Sequence, residues 1–278
     1  MPLHDAYARR TPFELAFPDR EAADAFVRAV AEEAEARGVD PSDRVAFSML
    51  GSVGTAVHGL QGPDAPGSAI RDYAALLFHA FHFVREGRPV HLVDLRVARH
   101  LVDGPAPAGA PEPPTRAGYV QLPRHLFWVG GEGGEAAEPV DGFFWTLSTD
   151  GSIHVLLATG MREGRPGLAV VPLPEAPWAE AGTWMGTRVR EVGEDFATTL
   201  PGGELDGLYS LTAAGEVLKL AARLFAYEGA VPEAVERHAP PTNGRDHADR
   251  SGAENREPGG SEGPTPSRLP YRRIVLHG

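Results

Sequence analysis

No cysteine occurs among the 278 residues. That excludes disulfides, thiolate nucleophiles and zinc sites built on sulfur, and it agrees with a reducing compartment. Lysine is nearly absent too: of the 26 basic residues only Lys219 is not an arginine. A GC-rich coding sequence accounts for this, as for the abundant Ala, Gly and Pro, without any functional preference for guanidinium. No apolar run reaches the roughly 18 residues that span a bilayer. The opening stretch MPLHDAYARRTPFELAF has no basic segment followed by an apolar one, so a cytoplasmic protein without a membrane role is expected. The formal charge of −12 works against sequence-independent nucleic-acid binding, which draws its free energy from clustered basic side chains. Binding through Arg272, Arg273 and other arginines would reveal itself by an affinity that falls steeply with salt.

Familiar catalytic patterns are missing as well. No Gly-x-Ser-x-Gly elbow is set between a strand and a helix, since the one such string, GGSEG at 259–263, lies in a stretch with almost no apolar residues, and LGSVGTAVHG has the glycines of a phosphate loop without the Lys-Ser or Lys-Thr that should follow. What the chain does contain is helical periodicity in its first third. REAADAFVRAVAEEAEAR, residues 20–37, sets Ala22, Phe26, Val30 and Ala34 on one stripe, and Gly38 ends it. Asp40 as N-cap with Pro41 behind it opens a second helix toward Leu60. A third, from about Ser68 to Glu86, carries Ile70, Tyr73, Leu77, Phe81 and Val84 on one side and further apolar residues on the others, so it is packed all round. HLVDLRVARHLVDG reads as a shorter helix closed by Gly104.

After the Pro-rich stretch 105–118 the period changes to two. YVQL and HLFWV look like strands. GFFWTLSTDGSIHVLL, residues 142–157, looks like a hairpin turning at Asp150-Gly151, with Trp145 opposite Leu156, Phe144 opposite Leu157 and His154 opposite Leu147. GLAVVPLP supplies the next strand, and a helix capped by Ser210 and stopped by Gly229 follows. Residues 236–267 have almost no apolar content and are expected to be disordered. LPYRRIVLHG regains strand character. The expected fold class is α+β, with N-terminal helices packed on a central antiparallel sheet, a later helix and a disordered C-terminal segment. Its parts are a helical region 1–104, the connector 105–118, a sheet-and-helix region 119–235 that forms one domain with the helices, the segment 236–267 and a strand-like tail 268–278.

Candidate chemistry is thin. His79 and His82, three apart on a helix, could share a metal ion, but filling space with one hydrogen bond each is the simpler account. Glu194, Asp195, Glu204 and Asp206 gather around a Gly-rich turn and are the candidate ligands of a metal-dependent hydrolase using residues 191–206, although a solvated acidic loop is the favoured account. Trp128, Trp145, Phe127 and Phe144 belong to strands apolar on both faces and are expected in the core, not on a base-stacking platform. No catalytic residue and no cofactor is assigned.

The order of features, a greasy helix (YAALLFHAFHFVREGRPVHLVD), then a strand with Leu122-Pro123 followed by aromatics, then Gly142-Phe143-Phe144-Trp145 opening the next strand, resembles the type V-A anti-CRISPR family, whose members lower production of the RNA-guided nuclease. The likeness spans about residues 66–172. It implies a non-enzymatic protein that binds another protein, in that family a nascent polypeptide. The family's basic, histidine-bearing C-terminal region has no counterpart here.

Overall fold

A computed structural model of the chain describes residues 7–61, 67–104, 111–129, 138–162, 165–169, 204–240 and 266–276. Helix α1 (Pro12–Ala16) starts with a capping box in which Thr11 and Glu14 exchange hydrogen bonds. Helix α2 (Arg20–Arg37) is capped by Asp19 and stopped by Gly38 in the left-handed region. Its buried stripe is Ala23, Phe26, Val30 and Ala34, so Ala23 and not Ala22 faces inward.

The expected second helix is two helices, α3 (Arg44–Ser48) and α4 (Gly51–Gln61). Asp43, not Asp40, is the N-cap of the first, its carboxylate accepting from the amides of Val45 and Ala46. The second begins on a borrowed cap: Glu33 of α2 accepts from the amides of Gly51 and Ser52 at 2.8 Å each. A side chain 18 residues upstream thus does the work of a local Ser or Asp. Helix α5 (Gly67–Arg85) is buried at Tyr73, Leu76, Leu77, Phe78, Ala80, Phe81 and Phe83, while Ile70 lies outside the core.

Strand β1 (Val90–Val93) precedes helix α6 (Leu95–Asp103). This corrects the reading of HLVDLRVARHLVDG as all helix: Asp94 caps α6 by accepting from Arg96 N–H, so the apolar run before it is free to extend. Then come β2 (Ala117–Gln121), the short pair β3 (Trp128–Val129) and β4 (Glu138–Pro139), β5 (Gly142–Leu147), β6 (Ile153–Arg162), β7 (Arg165–Ala169), helix α7 (Glu204–Ala230), β8 (Val235–His238) and β9 (Tyr271–Ile274). The last helix starts at Glu204, so Ser210 lies within it and does not cap it.

Seven strands form one sheet in the order β7-β6-β5-β2-β1-β9-β8. It is mixed, not antiparallel, because β1 runs parallel to both β2 and β9. The strand-like tail therefore docks as an interior strand, and residues 236–238, expected to be disordered, lie in β8 beside it. Pro266 and Ser267, from the other end of that segment, are also placed, against Arg9 and Ala8, and residues 241–265 are outside the described residues. Because β1 belongs to this sheet, a boundary at 104 would cut through it.

The β5–β6 hairpin holds, but one residue out of the expected register: Trp145 faces Val155, Phe144 faces Leu156 and Thr146 faces His154. The turn has three residues, not two. Ser148 N–H donates to Ser152 O, Gly151 N–H donates to Ser148 O, and only Gly151 takes a positive φ, of 87°. A type I turn closed by a left-handed glycine slips the pairing by one.

Both sheet faces are covered. Leu92, Tyr119, Phe144, Leu156 and Tyr271 pack with α1, α2, α4 and α5. Val93, Val120, Phe143, Trp145, Leu157 and Ile274 pack with α6 and α7. The result is an α+β fold of three layers, and the doubly covered sheet explains why GFFW reads as an unbroken apolar run. Gly142 is fixed by crowding, since a Cβ there would stand 2.3 Å from Val120 O. Trp145 and Phe144 are fully buried as expected, whereas Trp128 is 46% exposed and stacks on His125. No helix among the described residues is long and apolar enough to cross a membrane.

Candidate functional site

The N-terminal segment ahead of α1 is extended and bridges Arg9 to Pro266, with Ser267 N–H donating to Ala8 O at 2.7 Å. Neighbouring side chains of extended backbone point to opposite sides. Arg9 turns inward, where its Nη2 donates to Leu122 O and Asp141 O and its amide donates to Gln121 Oε1. Arg10 then lines a cleft of about 380 Å³ whose other walls are Phe13, Glu14, Phe17, Pro18, Asp19, Arg20, Arg88, Arg268 and Leu269.

Four guanidiniums therefore meet two carboxylates in this cleft, and neither carboxylate forms an ion pair with any of them among the described residues. Glu14 accepts from Thr11 N–H, Ser267 Oγ and Arg268 N–H at 2.9, 2.8 and 2.6 Å. It thereby clips the C-terminal segment to α1. Asp19 is spent capping α2 through Glu21 N–H. Arg88 pairs with Asp24, and Arg20 reaches the other oxygen of that carboxylate at 3.7 Å. Arg10 and Arg268 have no side-chain partner among the described residues, and Arg10 Nε is shielded from water without a hydrogen bond.

Arg88 reaches the cleft by an unusual backbone. Helix α5 closes with Gly87 N–H on Val84 O and Arg88 N–H on Phe83 O, a Schellman pattern in which Gly87 takes φ 82°. Arg88 follows at φ 62°, a left-handed conformation that costs a non-glycine residue about 1–2 kcal/mol. That turn sets its guanidinium 5.9 Å from the Phe13 ring centre, between the apolar floor and Asp24.

A second cleft, of about 470 Å³, opens between the hairpin turn and the residues before α3, lined by Asp40, Ser42, Asp43, Arg44, Val45, Ser148, Thr149, Asp150, Ser152 and His154. It contains a serine beside a histidine, with Ser148 Oγ 2.9 Å from His154 Nε2. The hydroxyl already donates to Ser42 O at 2.8 Å, so the imidazole is the donor and removes no proton from the serine. A base-activated nucleophile needs the opposite polarity. Together with Thr149 Oγ1 donating to Asp40 Oδ2, the pair latches the hairpin to the helical layer. Hydrogen bonds from Thr149 and from Ser42 N–H hold the Asp40 carboxyl below its usual range.

His79 and His82 both touch the Phe78 ring but engage different partners: His79 Nδ1 lies 2.9 Å from Thr146 Oγ1, and His82 Nε2 lies 3.1 Å from Pro41 O. Burial pushes His82 down to about 4 and His79 well below the ordinary imidazole value. Among the described residues, no group of three or more His, Asp or Glu is arranged to hold a metal ion. Glu194 and Asp195 lie outside the described residues. Glu204 and Asp206 lie in the first turn of α7, so they sit on a helix and not in a loop. Arg272 and Arg273 are in the interior strand β9, where Arg273 Nη2 donates to Asp94 Oδ2 at 3.3 Å.

Sequence reasoning passed over two arrangements. One is the arginine cleft, foreshadowed only by the capping-box spacing in RRTPFE. The other is a buried pair in which His91 Nδ1 meets Glu228 Oε1 at 2.9 Å, the side chains 0% and 5% exposed, with the His91 ring edge-on to Trp145. Its Nε2 has no hydrogen-bond partner. Neither cleft includes it, which leaves it a structural link between β1 and α7. No protein-family model matches this sequence, and no curated protein matches it either.

Proposed function

We propose that this chain is a non-enzymatic binding protein that holds a polypeptide segment in the cleft between α1, the start of α2 and residues 268–269. The lining carries the reading: guanidiniums and phenyl rings face the space, both carboxylates are engaged elsewhere, and no histidine, hydroxyl or amine is present to move a proton or attack a bond. Arginine and aromatic side chains are also the types that dominate binding energy at protein surfaces. The resemblance to the type V-A anti-CRISPR family extends the proposal to its partner, a protein segment reached in the cytoplasm while it is still being translated.

Hydrogen exchange on the full chain, mixed in turn with members of a random peptide pool, tests the proposal. Bound peptides are expected to protect residues 8–20 and 266–269. Protection confined to other regions, or none from any member of the pool, overturns it.

A further inference from the structure

We infer that the group recognised in this cleft is the carboxylate of an acidic side chain of the ligand, held between Arg10 and Arg268, with a neighbouring apolar residue of the ligand against Phe17, Pro18 and Leu269. The inference rests on the polypeptide reading above and names the chemistry of its ligand.

The first argument is charge. The four guanidiniums of Arg10, Arg20, Arg88 and Arg268 outnumber the carboxylates of Glu14, Asp19 and Asp24, and Arg10 and Arg268, one from each of the two chain segments that form the cleft, make no ion pair among the described residues. An arginine fork matches a carboxylate oxygen pair, and a charge-assisted bond is about twice as strong as a neutral one. The second argument is the whole molecule. A formal charge of −12 opposes the approach of a polyanion over many ångströms, whereas one carboxylate at contact distance responds to its immediate neighbours, because screening at physiological salt sets in at about 8 Å. The third is the floor. Phe17 and Leu269 are only partly buried and Pro18 is exposed, so an apolar side chain next to the acid covers surface that water now wets.

The cleft is also built to keep Arg268 in place. Its own amide donates to Glu14 at 2.6 Å, and Ser267 donates to the same carboxylate. The side chain on that anchored backbone has no partner among the described residues, so the backbone needs no further ordering when a ligand binds.

The probes are four amidated or free-acid forms of one acetylated hexapeptide of leucines flanking a central pair of residues: two glutamates or two glutamines, each with an amide or a free carboxyl end. Titration calorimetry with the full chain is expected to give the glutamate amide at least about tenfold tighter binding than the glutamine amide, the size of one charge-assisted bond. Arg268→Gln, at an exposed position, should erase most of that difference, as should Arg10→Gln, while Arg99→Gln on the exposed surface of α6 leaves it intact. Tighter binding of the free-acid glutamine peptide alone would overturn the side-chain assignment in favour of a chain-terminal carboxylate. Equal affinities for all four, with residues 8–20 and 266–269 still protected from exchange, would overturn the carboxylate assignment while sparing the polypeptide reading; absence of that protection overturns both.

Discussion

Replacing Gly118 by alanine should destabilise the protein by about 3 kcal/mol, the upper end of what one added methyl costs in a packed core. A Cβ at that position would stand 2.1 Å from Trp145 Cη2, 2.5 Å from Cζ2 and 2.7 Å from Cζ3, where carbon atoms normally rest about 3.5–4.0 Å apart. Gly118 and Trp145 are register partners on adjacent strands, so the indole lies across the space a side chain would fill. The ring cannot retreat. It is fully buried, its Nε1–H donates to Thr115 O at 3.2 Å, and Phe225 and His91 stand 5.2 and 5.4 Å from it.

The diagnostic measurement is a double-mutant cycle by urea unfolding. Trp145→Leu alone should cost about 3 kcal/mol through lost burial and cavity formation. Combined with Gly118→Ala, the total should stay near that value, because the methyl then occupies vacated space; the coupling is about 2–3 kcal/mol. A Gly118→Ala variant within about 0.5 kcal/mol of the parent, or a strictly additive pair, would refute the packing argument.

Three further outcomes are expected. Burial holds His82 neutral with a pKa near 4 against 6.5 when free; the unfolded chain binds the extra proton, so stability present above pH 6.5 is lost as pH falls toward 4, by on the order of 3 kcal/mol. His82→Gln should reduce that part of a Tm-against-pH curve, leaving the share that buried His79 contributes with the same sign. Glu33, held near 2 first by the Ser52 and Gly51 amides, acts in a lower window: its contribution is present above pH 4.5 and lost as pH falls to about 2, and Glu33→Gln should remove this limb while leaving the His82 limb intact. Glu228→Gln should cost about 1–3 kcal/mol in urea by taking the carboxylate partner away from buried His91, whereas the paired change His91→Phe with Glu228→Leu should recover most of it.

The helices were the most legible part of the chain, because their signals are local. Gly38 after Arg37 and the stripe from Phe26 to Ala34 are within one or two turns of what they determine. Where a cap comes from elsewhere, local reading fails: Glu33 starts α4 from another helix, and nothing near Gly51 announces it. The hairpin was recognisable from Asp150-Gly151, but its register depended on whether Asp150 also takes a positive φ, and it does not. The strand β1 was absorbed into a helix because four apolar-flanked residues have no period of their own. Its Asp94 cap was the available clue.

The candidate cleft was nearly illegible. Arg10, Arg88 and Arg268 come from three distant stretches, and no spacing rule connects them. Arg88 in particular depends on a left-handed turn after α5, a conformation that sequence assigns to Gly87 and would not extend to its neighbour. Trp128 misled in the opposite sense, since the short β3–β4 pair carries it away from the main sheet.

The parallel neighbour of Val90–Val93 on one side is Tyr271–Ile274, and this pairing sets the order of assembly. Closing so long a loop is entropically slow, so folding of this domain should be limited by the arrival of its distal strand. Until then β1 presents an unpaired apolar edge, the kind of template on which neighbouring chains aggregate. Fragments that stop short of Tyr271 should therefore accumulate in inclusion bodies even though every helix they need is already encoded.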